Sequence, residues 1–334
     1  MSKNAVPESL NEEYYQISSD ILESFSKYRP PLDIFRFKED VARIETYYRA
    51  GGRLSKEQVE ELAELTREGL IFVSRRDHPV YVKHISYQLD LVLVDKNLKE
   101  REIADIFIQA LTMRLENFME QPVRALLERL REDVMVLCEY VWNDVHRIRA
   151  LTRRLHTEHT LAHHSVNCGV MGTALFIRLY ADDFNRGAMQ RKLFENAVMG
   201  LFLHDLGMSK IPVFLRDKTQ ALSRDEQSKL LSHPGTGYEM LGKLDLKDRP
   251  VEQCVMEHHE RLDGSGYPQK LKGKDISPLG RLCAVVDSYC AMVTNRPYAP
   301  AKEPAQAANE LAEDAKHYDS RIARLLQSLI VTGK

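Results

Sequence analysis

Twelve histidines punctuate the 334-residue chain, and ten of them lie after residue 145. Six stand in wording that suggests chemistry. They are His163 and His164 in "LAHHSVNCGVMG", His204 in "GLFLHDLGMSKIP", His233 in "LLSHPGTG", and His258 and His259 in "VMEHHERLDGSGYP". Two aspartates join them, Asp205 directly after His204 and Asp287 inside the apolar run "LCAVVDSYCAMV". A carboxylate in such apolar surroundings is costly to bury unless it is paired or coordinated. Each residue has a plain reading of its own: a helix cap, a satisfied core histidine, an ion pair of Asp287 with Arg281 or Arg296. Taken together, His164, His204, Asp205, His233, His258, His259 and Asp287 exceed the needs of one four-coordinate ion. They suit two metals that share a bridging carboxylate, with Asp205 as the natural bridge. A mixed imidazole and carboxylate set without a thiolate fits iron or manganese, and zinc is compatible.

The elements that must position these groups read as helices. On a helix through "LAHHSVNCGVMGTALF", Leu161, His164, Cys168, Met171 and Leu175 share one stripe, and His163 falls on a neighbouring face. His164 is therefore the better ligand candidate. The run "ENAVMGLFL" delivers His204 and Asp205 at its end, with Gly207 stopping the helix. Ser223 and Glu226 form a capping box that opens the next helix, and His233 is expected to end it before Pro234. His258 and His259 leave the end of another helix and enter "DGSGYP". There Gly264 and Gly266 allow turns that other residues resist.

From about residue 100 onward, apolar residues recur three and four apart and no alternating strand of any length is visible. Before that, "YRPPLDIFRF" begins an extended segment. "IETYYRAGGRLSKEQVEELAEL" reads as strand, turn and helix, with a Ser55–Gln58 capping box. "GLIFVSRRDHPVYVKHI" reads as two short strands around a turn. The expected organisation is a polar lead-in over 1–30 and a small α/β regulatory domain over 31–100. A helical connector over 101–150 follows, then an all-helical metal-dependent domain over 151–334. The fold class is predominantly α. The connector offers a surface for a homodimer.

A formal net charge of -2 excludes a general binder of nucleic-acid polymers. The five cysteines form no CxxC pair and sit in apolar surroundings, as reduced core residues do. No apolar run reaches the length of a membrane span, and the first residues carry no apolar signal core. A cytoplasmic protein without membrane insertion is expected.

"HDLGMSKIP", "HHERLDGSGYP" and "VVDSYCAMVTNRPY" resemble the HD-GYP family, a branch of the HD-domain metal-dependent phosphohydrolases. The resemblance covers roughly 150–310. It implies a role in bacterial signalling, hydrolysing the phosphodiester bonds of cyclic di-GMP to pGpG or GMP by a metal-bridging hydroxide. It also implies a ligand division. One ion takes His164, His204, Asp205 and Asp287, and the other takes Asp205, His233, His258 and His259. Asp263, Gly264, Gly266, Tyr267 and Pro268 form the loop that the family links to substrate access and to partners such as a diguanylate cyclase. Two positions depart from the family. Met208 stands where a phosphate-contacting lysine is usual, which makes Lys210 the candidate replacement, with Arg296 as a second contact for phosphate or guanine. Thr160 stands where some members carry a glutamate for a third metal. Two alternatives remain open: a receptor that binds cyclic di-GMP with little turnover, and a phosphohydrolase for another nucleotide.

Overall fold

The computed structural model describes residues 13–17, 19–80, 89–90, 98–296 and 299–332. The chain divides into two compact units, residues 1–110 and 111–334.

The first unit is built on a four-stranded antiparallel sheet of order β1-β4-β2-β3, with β1 Tyr14–Gln16, β2 Ile34–Lys38, β3 Arg43–Tyr48 and β4 Ile71–Ser74. Helix α1 (Ser19–Ser24) follows β1, and α2 (Lys56–Arg67) opens on the expected capping box, Ser55 accepting from the Gln58 amide. The lead-in thus supplies a strand that was not expected from its polar wording. Tyr15 and Ile17 are buried there, and two apolar anchors in so short a segment give no readable period. A 3-10 turn, Arg75–Asp77, follows β4. The second strand expected after it, with His84, lies outside the described residues, as does the start of the lead-in.

The second unit is helical, and among its described residues the only β-type pairing is two isolated bridges, Glu158 with Asn295 and Arg296 with Ala299. Helix α3 (Glu100–Glu120) starts in the first unit and continues past residue 110; with α4 (Arg124–Asn143) it occupies the expected connector, the two being separated around Pro122. The helices that carry the histidines and Asp287 within them or at their ends are α5 (Leu161–Leu179), α6 (Arg191–Leu203), α8 (His233–Lys243), α9 (Arg249–Glu257) and α10 (Pro278–Met292). Between them α7 (Arg224–Leu231) opens on the expected Ser223–Glu226 box. Helices α11 (Pro304–Glu313) and α12 (Ser320–Thr332) close the unit.

Helix α5 is the centre of this unit. It is buried from Ala162 to Ile177 on all faces except at His163, so its core face is much wider than one stripe. It packs against α6 and α10, while α9 packs against α6 and α10. Small residues set the spacing: a Cβ on Gly200 would lie 3.0 Å from the Val251 Cα and 2.9 Å from the Cys254 sulfur. The helix ends carrying the histidines are thereby brought to one place. No described helix is long and apolar enough to cross a membrane.

Candidate metal centre

Local sequence explains why each ligand candidate points as it does. His204 caps the end of α6 and His258 the end of α9. His233 is the first residue of α8, with Pro234 in its first turn, so it opens a helix rather than ending one. Proline is tolerated there because the first amides of a helix have no intrahelical acceptor. In all three imidazoles Nδ1 lies against a carbonyl one turn back: His204 with Leu201 at 2.9 Å, His233 with Leu230 at 2.7 Å, His258 with Cys254 at 3.0 Å. Carbonyls only accept, so these Nδ1 atoms carry the proton and the Nε2 lone pairs are left free for a cation.

Those Nε2 atoms converge on Asp205, and its two oxygens divide between two groups. Oδ2 is 3.7 Å from the Nε2 of His164 and 3.7 Å from that of His204. Oδ1 is 3.2 Å from the Nε2 of His233 and 3.5 Å from that of His258. Asp287 also spans both groups, its Oδ1 lying 3.0 Å from His164 Nε2 and its Oδ2 3.6 Å from His259 Nδ1. Of its plain alternative partners, Arg281 pairs instead with Asp319 at 2.8 Å. All seven expected ligands therefore meet.

The donors fit two cations. His204 Nε2 is fully buried without a hydrogen-bond partner, and the Nε2 atoms of His233 and His258 face each other at 3.0 Å. Lone pairs that close repel unless a cation or proton lies between them. Two ligand groups can be drawn among the described residues, His164, Cys168, His204 and Asp287, and Asp205, His233, His258 and His259. Cys168 is the member that was not among the expected ligands. Its signal was present in the helical stripe it shares with His164, where it reads equally well as core.

Electrostatics prepare the same groups. Burial alone would raise both aspartates, yet the surrounding imidazoles hold Asp205 and Asp287 well below the ordinary carboxylate range. Burial presses His204 down to about 4 and pushes His259 well below its usual value, with His258 adding to the latter. Burial also opposes charge on His233, but its bond to Asp205 outweighs this and raises it. Most of the cluster is thus in the ligating protonation state, and a cation at His233 would displace a proton.

The loop after His259 is held by its own side chains. Gly264 adopts φ +80°, and Asp263 Oδ1 accepts from the Ser265 amide at 2.9 Å. Asp263 also meets Lys316 at 3.4 Å and His317 at 3.5 Å, so it braces the loop and does not reach the cluster. A Cβ on Gly266 would lie 2.5 Å from backbone atoms of His259, Glu260 and Arg261, which explains the glycine by close approach. Tyr267 stacks on His259, centroids 4.7 Å apart, and the Tyr267–Pro268 bond is cis with Pro268 exposed. Buried Glu260 accepts from the amides of Gln269 at 2.7 Å and Leu271 at 3.0 Å. Glu260→Ala is expected to cost about 2–4 kcal/mol by leaving both amides unsatisfied. Urea unfolding tests this, and an unchanged midpoint would show the loop does not depend on the carboxylate.

Beside the cluster lies a cleft of about 590 Å³, lined by Asp205, Met208, Ser209, Lys210, Arg216, Arg296 and His159 among others. Lys210 and Arg296, expected from sequence, are both there. His159, Ser209 and Arg216 were not expected, since they stand outside any metal-ligand wording. His163 turns away, stacking on His156 at 3.8 Å, and Thr160 caps α5 by accepting from the His163 amide. Glu158 is exposed and accepts from Asn295. Neither Thr160 nor Glu158 joins the ligand groups.

A family model described as HD domain matches residues 156–322. Among curated proteins, the chain is 32% identical over 167 residues to cyclic di-GMP phosphodiesterase PA4108 of Pseudomonas aeruginosa, covering 50% of this chain and 38% of that protein. It is 27% identical over 247 residues to 3'3'-cGAMP-specific phosphodiesterase 2 of Vibrio cholerae, covering 73% and 42%. It is 36% identical over 132 residues to the cyclic di-GMP phosphodiesterase response regulator RpfG of Xanthomonas campestris, covering 38% and 35%. The matches thus span less than half the length of these relatives. Among solved structures, Bd1817, an HDG"Y"P protein from Bdellovibrio bacteriovorus, shares the fold, with a TM-score of 0.62 at 19% identity over 95% of this chain and 99% of that one.

Proposed function

The chain belongs to the HD-domain family, in its HD-GYP branch, and from that premise we propose that it is a binuclear metal-dependent phosphodiesterase that opens cyclic di-GMP to pGpG or GMP. The observation that carries this reading is Asp205, whose two oxygens face separate imidazole groups beside a cleft that Lys210, Arg216 and Arg296 line together with Glu116, Glu120 and Asp217. The named activities of the relatives supply the substrate class. Iron or manganese, with zinc as a third candidate, are the ions we assign.

When bound, the two ions polarise the phosphodiester and supply a nucleophilic water near neutral pH. Asp205 would serve both ions, and Asp287 with the five histidines would complete the two ligand sets. The chain's own cations then do the rest. Lys210, Arg216 and Arg296 line the cleft, where they offset charge on the non-bridging oxygens and on the second phosphate. Neither the Lys210 nor the Arg216 side chain has a hydrogen bond or ion pair among the described residues, and Ser209 Oγ and Arg216 Nε are buried without a hydrogen-bond partner. These unspent donors compensate for Met208. Burial first, and then Arg296, presses His159 down to about 4, so the ring is uncharged near neutral pH and does not serve as an imidazolium donor. The leaving 3′-oxygen takes its proton from water. Tyr267 fixes the His259 ring and the wall of the cleft, and the same loop is the surface we assign to a diguanylate cyclase or other signalling partner. The first unit, which holds no such cluster among its described residues, is assigned a regulatory role.

Arg216→Gln is expected to raise KM for cyclic di-GMP about tenfold, as loss of a charge-assisted phosphate contact should. Metal content and kcat should change little, and adding Met208→Lys should recover part of the loss. Steady-state kinetics decide this, and an unchanged KM would dismiss Arg216 as a phosphate contact.

A second substrate, 3′3′-cGAMP, is favoured by one observation: the relative named for it matches 73% of this chain. Parallel incubation of metal-loaded protein with the two cyclic dinucleotides, followed by chromatography, separates the readings. Faster conversion of cyclic di-GMP supports the first, faster conversion of 3′3′-cGAMP the second. Tight binding of either without product would make the chain a receptor.

A further inference from the structure

We propose that Cys168 is a thiolate ligand of the ion held by His164, His204 and Asp287, and that this ion is accordingly Zn(II) or Fe(II) rather than Mn(II). The proposal concerns the metal centre of the reading above and is independent of which nucleotide is cleaved.

The geometry points to coordination. The Cys168 sulfur lies 3.6 Å from His164 Nε2 and 3.9 Å from its Nδ1, so it stands closer to the ring atom that faces the cluster. Bonds of about 2.0–2.1 Å to nitrogen and about 2.3 Å to sulfur place the two donors ~3.6 Å apart when they meet on one ion at an angle of about 109°. The sulfur, the two imidazole nitrogens and the Asp287 oxygen all lie within 4.8 Å of one another. Cys168 and His204 are 0% exposed, and the His204 Nε2 directed into this group has no hydrogen-bond partner. A buried imidazole nitrogen left unsatisfied beside a sulfur is what removal of a shared cation would leave behind.

Sequence placement agrees. His164 and Cys168 are four apart on α5, so both side chains emerge on one face, one turn from each other. The second ligand group contains no sulfur. The two ions therefore meet unlike donor sets: a softer one with sulfur, and a harder one of three imidazoles and a carboxylate. Thiolate ligation favours zinc and iron, whereas manganese prefers oxygen donors. On coordination the S–H bond breaks, sulfur keeps the electron pair for the metal–sulfur bond, and the proton is released to solvent.

Cobalt(II) reports on this directly, because a thiolate–cobalt bond gives an intense near-ultraviolet charge-transfer band that imidazole and carboxylate do not. The full chain is stripped of metal under reducing, oxygen-free conditions and titrated with cobalt. The expected result is two ions bound per chain, with the band saturating at one. Cys168→Ala should still take up cobalt in the second group but lose the band, and Cys290→Ala, which removes the thiol that Cys168 contacts, should keep it. X-ray absorption of the zinc-loaded wild-type chain needs no substitution and should show a sulfur scatterer at about 2.3 Å. Two cobalt ions bound without the band, a band that survives Cys168→Ala, or a zinc spectrum lacking sulfur would each overturn the proposal while leaving the binuclear centre standing. Failure to bind cobalt at all would overturn the metal centre itself.

Discussion

Asp205→Ala is expected to abolish hydrolysis and to release both ions, not one. The carboxylate meets two imidazoles of each set, Oδ2 facing His164 and His204 and Oδ1 facing His233 and His258. Without it each set loses a ligand, and the negative charge between the two cations is lost as well. The rate should fall by roughly three orders of magnitude or more, ~4 kcal/mol of transition-state stabilisation, since a binuclear centre supplies several kcal/mol. Asp287→Ala should retain more metal, because Asp287 lies within hydrogen-bonding distance of His164 alone. Elemental analysis beside a rate measurement tests the pair. Two ions retained in Asp205→Ala, with circular dichroism showing the fold intact, would exclude the bridge.

Gly207→Ala is expected to damage the fold and the centre together. A Cβ there would lie 1.9 Å from the His233 carbonyl oxygen, 2.8 Å from its carbonyl carbon and 2.7 Å from the Gly237 amide nitrogen. All three are backbone atoms, so no side chain can rotate aside. The turn after Asp205 and the first turn of α8 must separate, and α8 carries His233. The cost should be about 3 kcal/mol, at the upper end of overpacking effects. Urea unfolding should show the lower midpoint, and metal analysis should show loss from the His233 group. A midpoint and metal content like those of the wild type would mean that α8 can move away freely.

The ligand set was legible because burying carboxylates and clustering imidazoles both carry a large cost that only a cation relieves. Asp287 in an apolar helix and the adjacent pair His258 and His259 are conspicuous for that reason. Their convergence was less legible, since it depends on the close crossing of α6 and α9 at Gly200. His233 was placed at the wrong end of a helix. Pro234 breaks a helix that precedes it and starts one that follows it, and wording alone does not choose. Gly207 was read as a helix stop, but its φ is not in the left-handed region, and what requires it is the His233 carbonyl. Cys168 was visible as a stripe member and was read as core, because a thiol suits either role. Arg216 and Ser209 were missed since a cleft wall has no periodicity. The sheet's edge strand β1 was missed because three residues are too few to show alternation.

The most direct test of the central claim is a metal titration of the stripped full chain with cyclic di-GMP present, measuring linear product and bound metal at each step. A binuclear centre predicts no turnover without metal, little with one ion per chain, and full turnover as the second site fills. Full turnover in the metal-free chain, or two bound ions with cyclic di-GMP left intact, would contradict it.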